Sequence, residues 1–236
     1  MPITTLFQAA RTAAQTGQAI ICAALALEAD IAERQFKRQI NGLDMADLSN
    51  IIGRAAAEGC RGIVSYGLAG GLCSDLRAGD IVVGSEIVGS DGRIPTDDFW
   101  SAWLLSAIPR AVYGPIAGVD IPIGASAARY ELRLRSRALA VDMESHVIAR
   151  LAAAHALRFI ALRVVIDRAG RNIPAAALGC LSGAGEICGW RLARLLLGRP
   201  SDTIDVIRLG ADWWPARKGL LSCAEALGAS VREVGL

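Results

Sequence analysis

The chain has 236 residues, of which 53% are hydrophobic, and a formal net charge of +2, so it has the size of one α/β domain with a core that needs neither metal nor disulfides. Its mean hydropathy of +0.39 is high for a globular protein, but no uncharged run reaches the eighteen residues of a membrane span. The basic residues are almost all arginines scattered along the chain, which argues against a nucleic-acid partner.

The termini and the cysteines add three predictions. Residues 1–18 lack the charged start and long apolar run of a signal peptide, which predicts a cytoplasmic protein. We expect a single domain of residues 1–236 whose first 18 residues form a short leader. The six cysteines lack CxxC spacing and predict reduced, buried thiols. Residues 181–236 predict a helical tail.

The first half of the chain predicts two strands, each with polar or flexible residues at its exit. Residues 19–27 form an apolar run typical of a central strand, and Glu28 and Asp30 follow it. Residues 63–66 predict the next strand, and the glycine-rich segment 67–71 predicts a turn after it. The glycine amides suit an anion, although a simple tight turn explains the same residues.

Shorter elements follow. Residues 80–88 predict a long bent strand or one arm of a hairpin, residues 90–98 a loop, and residues 99–105 a short helix. Residues 112–116 and 121–123 predict two further strands. Trp100 and Trp103 lie at helical spacing, where they either line an apolar pocket or pack in the core.

The third part of the sequence, residues 138–167, contains the candidate catalytic acids. Residues 138–141 predict a strand, with Asp142 as the N-cap of the next helix and Glu144 in its first turn. The apolar run 159–166 predicts a buried strand that ends at Asp167, at the edge where open α/β sheets bind ligands. Glu144 either serves the helix dipole or faces the same crevice as Asp167.

Histidine chemistry is nearly excluded, because the chain has only His146 and His155. A histidine triad or a multi-histidine metal site therefore does not fit, and His146 is expected at the surface or at a subunit contact. Residues 170–180 predict a loop that closes over the site. Because strands and helices alternate, we predict an α/β fold with a central mixed sheet flanked by helices.

Three blocks in this order resemble the purine nucleoside phosphorylase and nucleosidase superfamily. They are the opening strand with its acids, residues 67–72 with 76–83, and residues 141–144 with the strand that ends at Asp167. The resemblance implies a three-layer phosphorylase/hydrolase-like fold, a homo-oligomer, and no metal or cofactor beyond inorganic phosphate as co-substrate. The resemblance also implies that the substrate is a small adenosyl nucleoside.

The resemblance also implies a role for each residue of the third block. Met143 and Glu144 hold the ribose beside Asp142, and Asp167 protonates or hydrogen-bonds N7 of the departing purine. These roles fit the chemistry, because cleavage of an N-glycosidic bond builds positive charge on the sugar and negative charge on the base. The resemblance places the base against a clasp, here Ile121, Pro122 and Ile123.

The nucleophile is left open between phosphate and water. By resemblance, phosphate binds at Gly67, Leu68, Ala69 and Gly70, whereas in a nucleosidase the acid of the first strand, here Glu28 or Asp30, activates water. Relatives often carry serine at the position of Leu68 and arginine near that of Ser65, and this chain has neither.

Segments 65–72, 95–97, 140–146 and 163–167 are similar to the hopanoid-associated phosphorylases of bacteria. That similarity implies release of adenine from adenosylhopane, with a contact to the membrane surface through the apolar substrate. The alternatives are a hydrolytic methylthioadenosine or adenosylhomocysteine nucleosidase and a binding protein that keeps the pocket without turnover.

Overall fold

A computed structural model of the chain describes residues 19–23, 28, 31, 39–41, 45–173 and 203–233. Within these ranges it contains eight strands and five helices with defined bounds. The strands are β1 (Ile20–Ala23), β2 (Gln39–Asn41), β3 (Gly62–Gly71), β4 (Ile81–Gly89), β5 (Gly92–Pro95), β6 (Val112–Gly118), β7 (Ala140–Asp142) and β8 (Arg158–Asp167). The helices are α1 (Met45–Ala57), α2 (Asp98–Ala107), α3 (Ser126–Ser136), α4 (Ser145–Ala154) and α5 (Thr203–Glu233).

Strand β3 organises the sheet. It runs parallel to β1 and to β8, and its last two residues pair antiparallel with β7. Strand β4 pairs antiparallel with β8 and β5 and parallel with β6, and β6 pairs with β7. The strands β3, β8, β4, β6 and β7 therefore close into a ring, while β1 and β2 extend it on one side. The predicted mixed sheet is confirmed.

Two apolar layers cover the sheet, one on each face. One contains Ile51 of α1 and Ile148 of α4, and the other contains Leu104 of α2 and Leu220 of α5. Alternate residues of β8 enter the two layers, as expected for a strand that is buried on both faces. The three-layer arrangement of helix, sheet and helix is thus confirmed.

Three local predictions are wrong. The turn at residues 67–71 is the second half of β3, because the backbone there continues its pairing with β8. The loop at 90–98 contains β5, which forms a hairpin with β4. Residues 121–123 are not a strand, and β6 ends before them at Gly118.

The helices follow local sequence signals more closely. The short helix predicted at residues 99–105 is α2, and Asp97 caps it by accepting the backbone N–H of Trp100 at 2.9 Å, a cap that we did not predict. Helix α5 lies in the predicted helical tail, and the Tyr66 hydroxyl donates to the Leu220 carbonyl at 2.9 Å to tie it to β3. In the described part of the chain no helix is both long and apolar enough to span a bilayer.

The leader 1–18 and residues 181–202 lie outside the described residues, as do two of the six cysteines and most of the loop 170–180. The four described cysteines are free thiols; Cys22, Cys60 and Cys223 are buried as predicted, whereas Cys73 is only half-buried.

Candidate active site

The predicted carboxylates converge at the end of β3. Gly70 pairs with Val141 of β7 on one side and with Asp167 of β8 on the other. Asp167 and Val141, the first residue of the block 141–144, are therefore two inter-strand spacings apart, about 10 Å. Asp142 in turn pairs with Gly118, where the segment containing residues 121–123 begins. The sheet topology thus brings three distant parts of the sequence to one edge.

Asp142 fixes how helix α4 begins. Its Oδ1 accepts the backbone N–H groups of Glu144 at 3.1 Å and Ser145 at 2.8 Å, and its Oδ2 accepts the Ser145 hydroxyl. The helix starts at Ser145 with Glu144 as the N-cap residue, so the prediction of Asp142 as the N-cap and Glu144 in the first turn is wrong by two residues. Met143 remains 39% exposed beside it.

Arg163 is a buried residue of this site that we did not predict. It lies in β8, and its Nε donates to Asp142 Oδ2 at 2.5 Å. Its Nη2 donates to Ser65 Oγ at 2.6 Å and to Ser145 Oγ at 2.8 Å. The signal was present in the sequence, because Arg163 is the one charged residue within the apolar run 159–166, and a buried charge requires partners.

The environment of the Glu144 carboxyl group disfavours its ionised form. Burial, reinforced by the nearby Asp142 and Glu28 carboxylates, raises the pKa of Glu144 to about 7, although the Arg163 guanidinium opposes the rise. A carboxyl group with this pKa takes up and releases protons near neutral pH. The ionised form of this carboxyl group is stabilised most when a positive charge forms beside it.

Glu28 is the other acid of this group. It is buried, and its Oε1 accepts the backbone N–H of Leu68 at 2.7 Å. Gly67 permits this approach, because a Cβ at Gly67 would lie 2.7 Å from a Glu28 carboxylate oxygen. Of the two acids that the sequence left open, Glu28 is part of the site, whereas Asp30 lies outside the described residues.

The predicted phosphate-binding residues form a strand and not a loop. Gly67, Leu68, Ala69 and Gly70 pair in register with β8, with a register shift between the last two. The amide of Leu68, which was predicted to bind phosphate, donates instead to the Glu28 carboxylate. Their role with phosphate stays a prediction, but the predicted turn is wrong because pairing with β8 overrides the local tendency of glycine to turn.

Asp167 is buried at the end of β8 and forms an ion pair with Arg129 of α3, which is also buried. Burial raises the pKa of Asp167, and the Arg129 guanidinium opposes the rise. The chain after Asp167 folds back onto the start of α3, where Asn172 Oδ1 accepts the Ser126 N–H at 2.8 Å and the Ile173 N–H donates to the Gly124 carbonyl at 2.8 Å. We did not predict helix α3 or the role of Arg129.

The predicted base clasp is accessible. Ile121 and Pro122 are exposed, and Ile123 is half-buried. His146 anchors this segment, because its Nε2 lies 2.9 Å from Asp120 Oδ1.

The structure tests the expectations for His146 and for the two tryptophans of α2. Of the two expected positions for His146, the solvent-exposed one is wrong, because His146 is buried against Gly118, where a Cβ would lie 2.3 Å from the His146 Cβ; a subunit contact stays a prediction. Trp100 is only 1% exposed and packs in the core, and Trp103 is half-buried against the same layer. Core packing, the alternative weighed against a pocket, is therefore correct for Trp100.

The described residues contain no group of three histidine, cysteine, aspartate or glutamate side chains placed to hold a metal ion. The arrangement therefore rests on carboxyl groups, two buried arginines and backbone hydrogen bonds. Such a site can stabilise a cationic centre next to Glu144 and bind a polar heterocycle at Asp167.

Comparison with known structures reveals the same architecture. The 5'-methylthioadenosine/S-adenosyl homocysteine nucleosidase of Helicobacter pylori superposes with a TM-score of 0.63 at 16% identity, covering 92% of this chain and 99% of that chain. Futalosine hydrolase of the same organism gives a TM-score of 0.64 at 16% identity over the same shares. The nucleosidase of Campylobacter jejuni gives 0.59 at 17% identity, covering 66% and 87%. At these identities the likeness establishes the fold.

A family profile adds a sequence match to this likeness of fold. The profile described as the Phosphorylase superfamily matches residues 39–179, more than half of the chain and the part that contains β2 to β8. The chain belongs to the phosphorylase superfamily.

Proposed function

We propose that this protein cleaves the N-glycosidic bond of an adenosyl nucleoside and releases adenine. The observation that carries the proposal is that the β3 end at Gly70 pairs on one side with Val141, three residues before Glu144, and on the other side with Asp167. Glu144 supports the ribosyl cation that forms as the bond breaks, and Asp167 with its guanidinium partner binds the base that leaves with negative charge. Met143 and Glu144 hold the ribose, and residues 121–123 hold the base.

Water is the nucleophile that the described geometry favours. Glu28 carries a carboxylate at the Leu68 amide, in the place predicted for phosphate. Its charge raises the pKa of Glu144, so the two acids lie close enough to interact. An anionic nucleophile would meet repulsion from both, whereas water gains a general base in Glu28. The enzyme is then a hydrolytic nucleosidase.

Phosphorolysis is the second candidate, because the segments similar to hopanoid-associated phosphorylases imply it. In that case the enzyme is a pentosyltransferase, and phosphate displaces adenine to leave a ribose 1-phosphate unit. The two reactions share Glu144 and Asp167 and differ only in the nucleophile. The same assay separates them.

For the 5′ substituent we propose a polycyclic hydrocarbon, as in adenosylhopane, which makes the reaction a step of hopanoid biosynthesis. Ile121 is 75% exposed and Met143 39% exposed at this edge of the sheet, and both offer apolar surface to such a group. An apolar substrate of this kind also brings the enzyme to a membrane surface. We extend the proposal to a homo-oligomer, as the resemblance implies.

The test is an adenine-release assay on adenosine, 5′-methylthioadenosine, S-adenosylhomocysteine and adenosylhopane, each with and without inorganic phosphate. Hydrolysis predicts release in phosphate-free buffer and incorporation of ¹⁸O from labelled water into the pentose. Release that requires phosphate and yields a pentose 1-phosphate would replace hydrolysis by phosphorolysis. Binding of these nucleosides without any release would contradict both reactions and indicate a binding protein.

Variants test the residue assignments. We expect Glu144→Ala to lose most turnover, because the cationic transition state loses its carboxylate, and activity within about threefold of wild type would contradict that role. We expect Glu28→Gln to lose about 10²-fold or more if Glu28 is the general base. Glu58→Gln is the matched control, because Glu58 is exposed just after α1.

A further inference from the structure

The outer side of helix α3 carries large apolar side chains that remain exposed. Leu134 lines an open groove of about 450 Å³ together with Tyr113 of β6. Tyr130 lies four residues before Leu134 and therefore on the same side of the helix. The exposed fractions are 44% for Tyr113, 64% for Tyr130 and 62% for Leu134. Large apolar side chains grouped in this way mark an interaction surface, whereas single ones do not.

Two arginines beside these side chains are not used by the fold. Arg133 caps the helix, because its guanidinium donates to the Arg137 and Ala138 carbonyls. Arg135 and Arg137 are exposed, and within the described part of the chain neither side chain has a hydrogen bond or an ion pair. Glu131 is the one acid of α3, so this side of the helix has an excess of positive charge. We call Tyr113, Tyr130, Leu134, Arg135 and Arg137 together the α3 face.

Arg137 occupies a backbone position that favours glycine. It follows the last residue of α3 with a φ of 61°, in the left-handed region that is costly for residues with a Cβ. Its side chain lines the groove with Tyr113 and Leu134. Glycine would adopt this conformation without strain, so the arginine does not serve the helix end itself. A cation at this position lowers stability relative to glycine, which points to a role for its side chain at the surface.

We propose that the α3 face docks on the surface of an anionic phospholipid bilayer. The charges are complementary, because the lipid phosphates attract arginines, while tyrosine and leucine side chains enter the interface between head groups and acyl chains. A second copy of this chain fits less well, because a two-fold interface would bring Arg135 and Arg137 of both copies together. The inference goes beyond the proposed function, since this contact is made by the protein itself and needs no nucleoside.

The test is co-flotation of the full chain with vesicles of phosphatidylcholine alone and of phosphatidylcholine with phosphatidylglycerol, without any nucleoside. We expect binding to the anionic vesicles, and weaker binding when NaCl is raised, because salt screens the arginines. Arg135→Gln should lower the affinity about fivefold and Leu134→Ser about tenfold. Arg137→Gly should also lower it about fivefold while raising the midpoint of thermal unfolding, a combination that damage to the fold would not produce.

Arg61→Gln and Phe99→Ser are the matched controls, because they remove an exposed arginine and an exposed aromatic side chain outside the α3 face, and both should bind vesicles like the wild type. Equal binding to neutral and anionic vesicles, binding to neither, or α3-face variants that behave like the controls would overturn the inference. Tighter binding to a DNA oligonucleotide through the same residues, or conversion of an oligomer into monomers by Leu134→Ser, would assign the face to another partner and overturn it as well. Adenine release is not part of the readout, so failure of docking leaves the proposed function standing.

Discussion

Replacing Glu144 by glutamine should stabilise the folded protein at alkaline pH. The raised pKa of Glu144 means that the folded state disfavours the ionised carboxyl, first because of burial and then because of Asp142. Between its ordinary pKa of 4.5 and its folded pKa of about 7 the folded state holds more protons than the unfolded state, so stability falls as pH rises through this window. Glutamine is close in shape to the protonated acid and has no charge to lose.

The magnitude follows from the displacement of the pKa. Each pKa unit corresponds to about 1.4 kcal/mol, so a change from 4.5 to about 7 sets an upper limit of about 3 kcal/mol. Glu144 is only half-buried and its neighbours relax, which reduces the expected gain to about 1–2 kcal/mol. The gain should be present at pH 8.5 and nearly absent at pH 4.5.

Urea unfolding of the wild type and Glu144→Gln at both pH values measures this difference, with two-state behaviour checked by two probes. Groups that do not interact with Glu144 titrate equally in the two proteins and cancel, so the difference reports Glu144 together with its neighbours Asp142, Glu28 and Arg163. Glu58→Gln, at an exposed position, should show no pH-dependent difference from wild type. If Glu144→Gln is no more stable than wild type at pH 8.5, or if the difference is the same at both pH values, the assigned electrostatics of the site are incorrect.

Two further predictions concern stability. Arg163→Met should lower the free energy of unfolding by about 3–5 kcal/mol, because Asp142 is left buried without its cation. The double variant with Asp142→Asn should recover part of this loss. A loss below about 1 kcal/mol in urea titration would contradict the buried ion pair. Trp100→Ala should cost about 3–5 kcal/mol because the side chain fills the core, whereas Phe99→Ala, 56% exposed on the same helix, should cost much less; equal midpoint shifts in thermal unfolding would argue against this packing.

Strand β8, helix α2 and the candidate catalytic acids were predicted from local sequence patterns. The apolar run of β8 and its terminal Asp167 were readable because a strand buried on both faces needs a continuous apolar segment. Helix α2 was predicted from the helical spacing of its apolar residues alone, without its cap at Asp97. The acids of the third block stood out because they follow a predicted strand directly.

Long-range pairing decided the rest. The glycines at 67–71 have a local tendency to turn, but pairing with β8 keeps them in β3. Because they lack a Cβ, the Glu28 carboxylate can approach Gly67 and the Arg129 guanidinium can approach Gly70 closely. Ser65 and Arg163 hydrogen-bond although they are 98 residues apart, and the Arg129–Asp167 pair spans 38 residues.

The sequence by itself thus determined most of the buried strands, helix α2 and the carboxylates that follow strands, because each depends on neighbours within a few positions. Only the tertiary structure decided that, among the arginines in the described residues, Arg129 and Arg163 are buried, because their burial depends on a carboxylate that the fold places beside each one. It also decided that the glycine segment serves close approach instead of turning the chain, because that outcome depends on a partner strand almost 100 residues away.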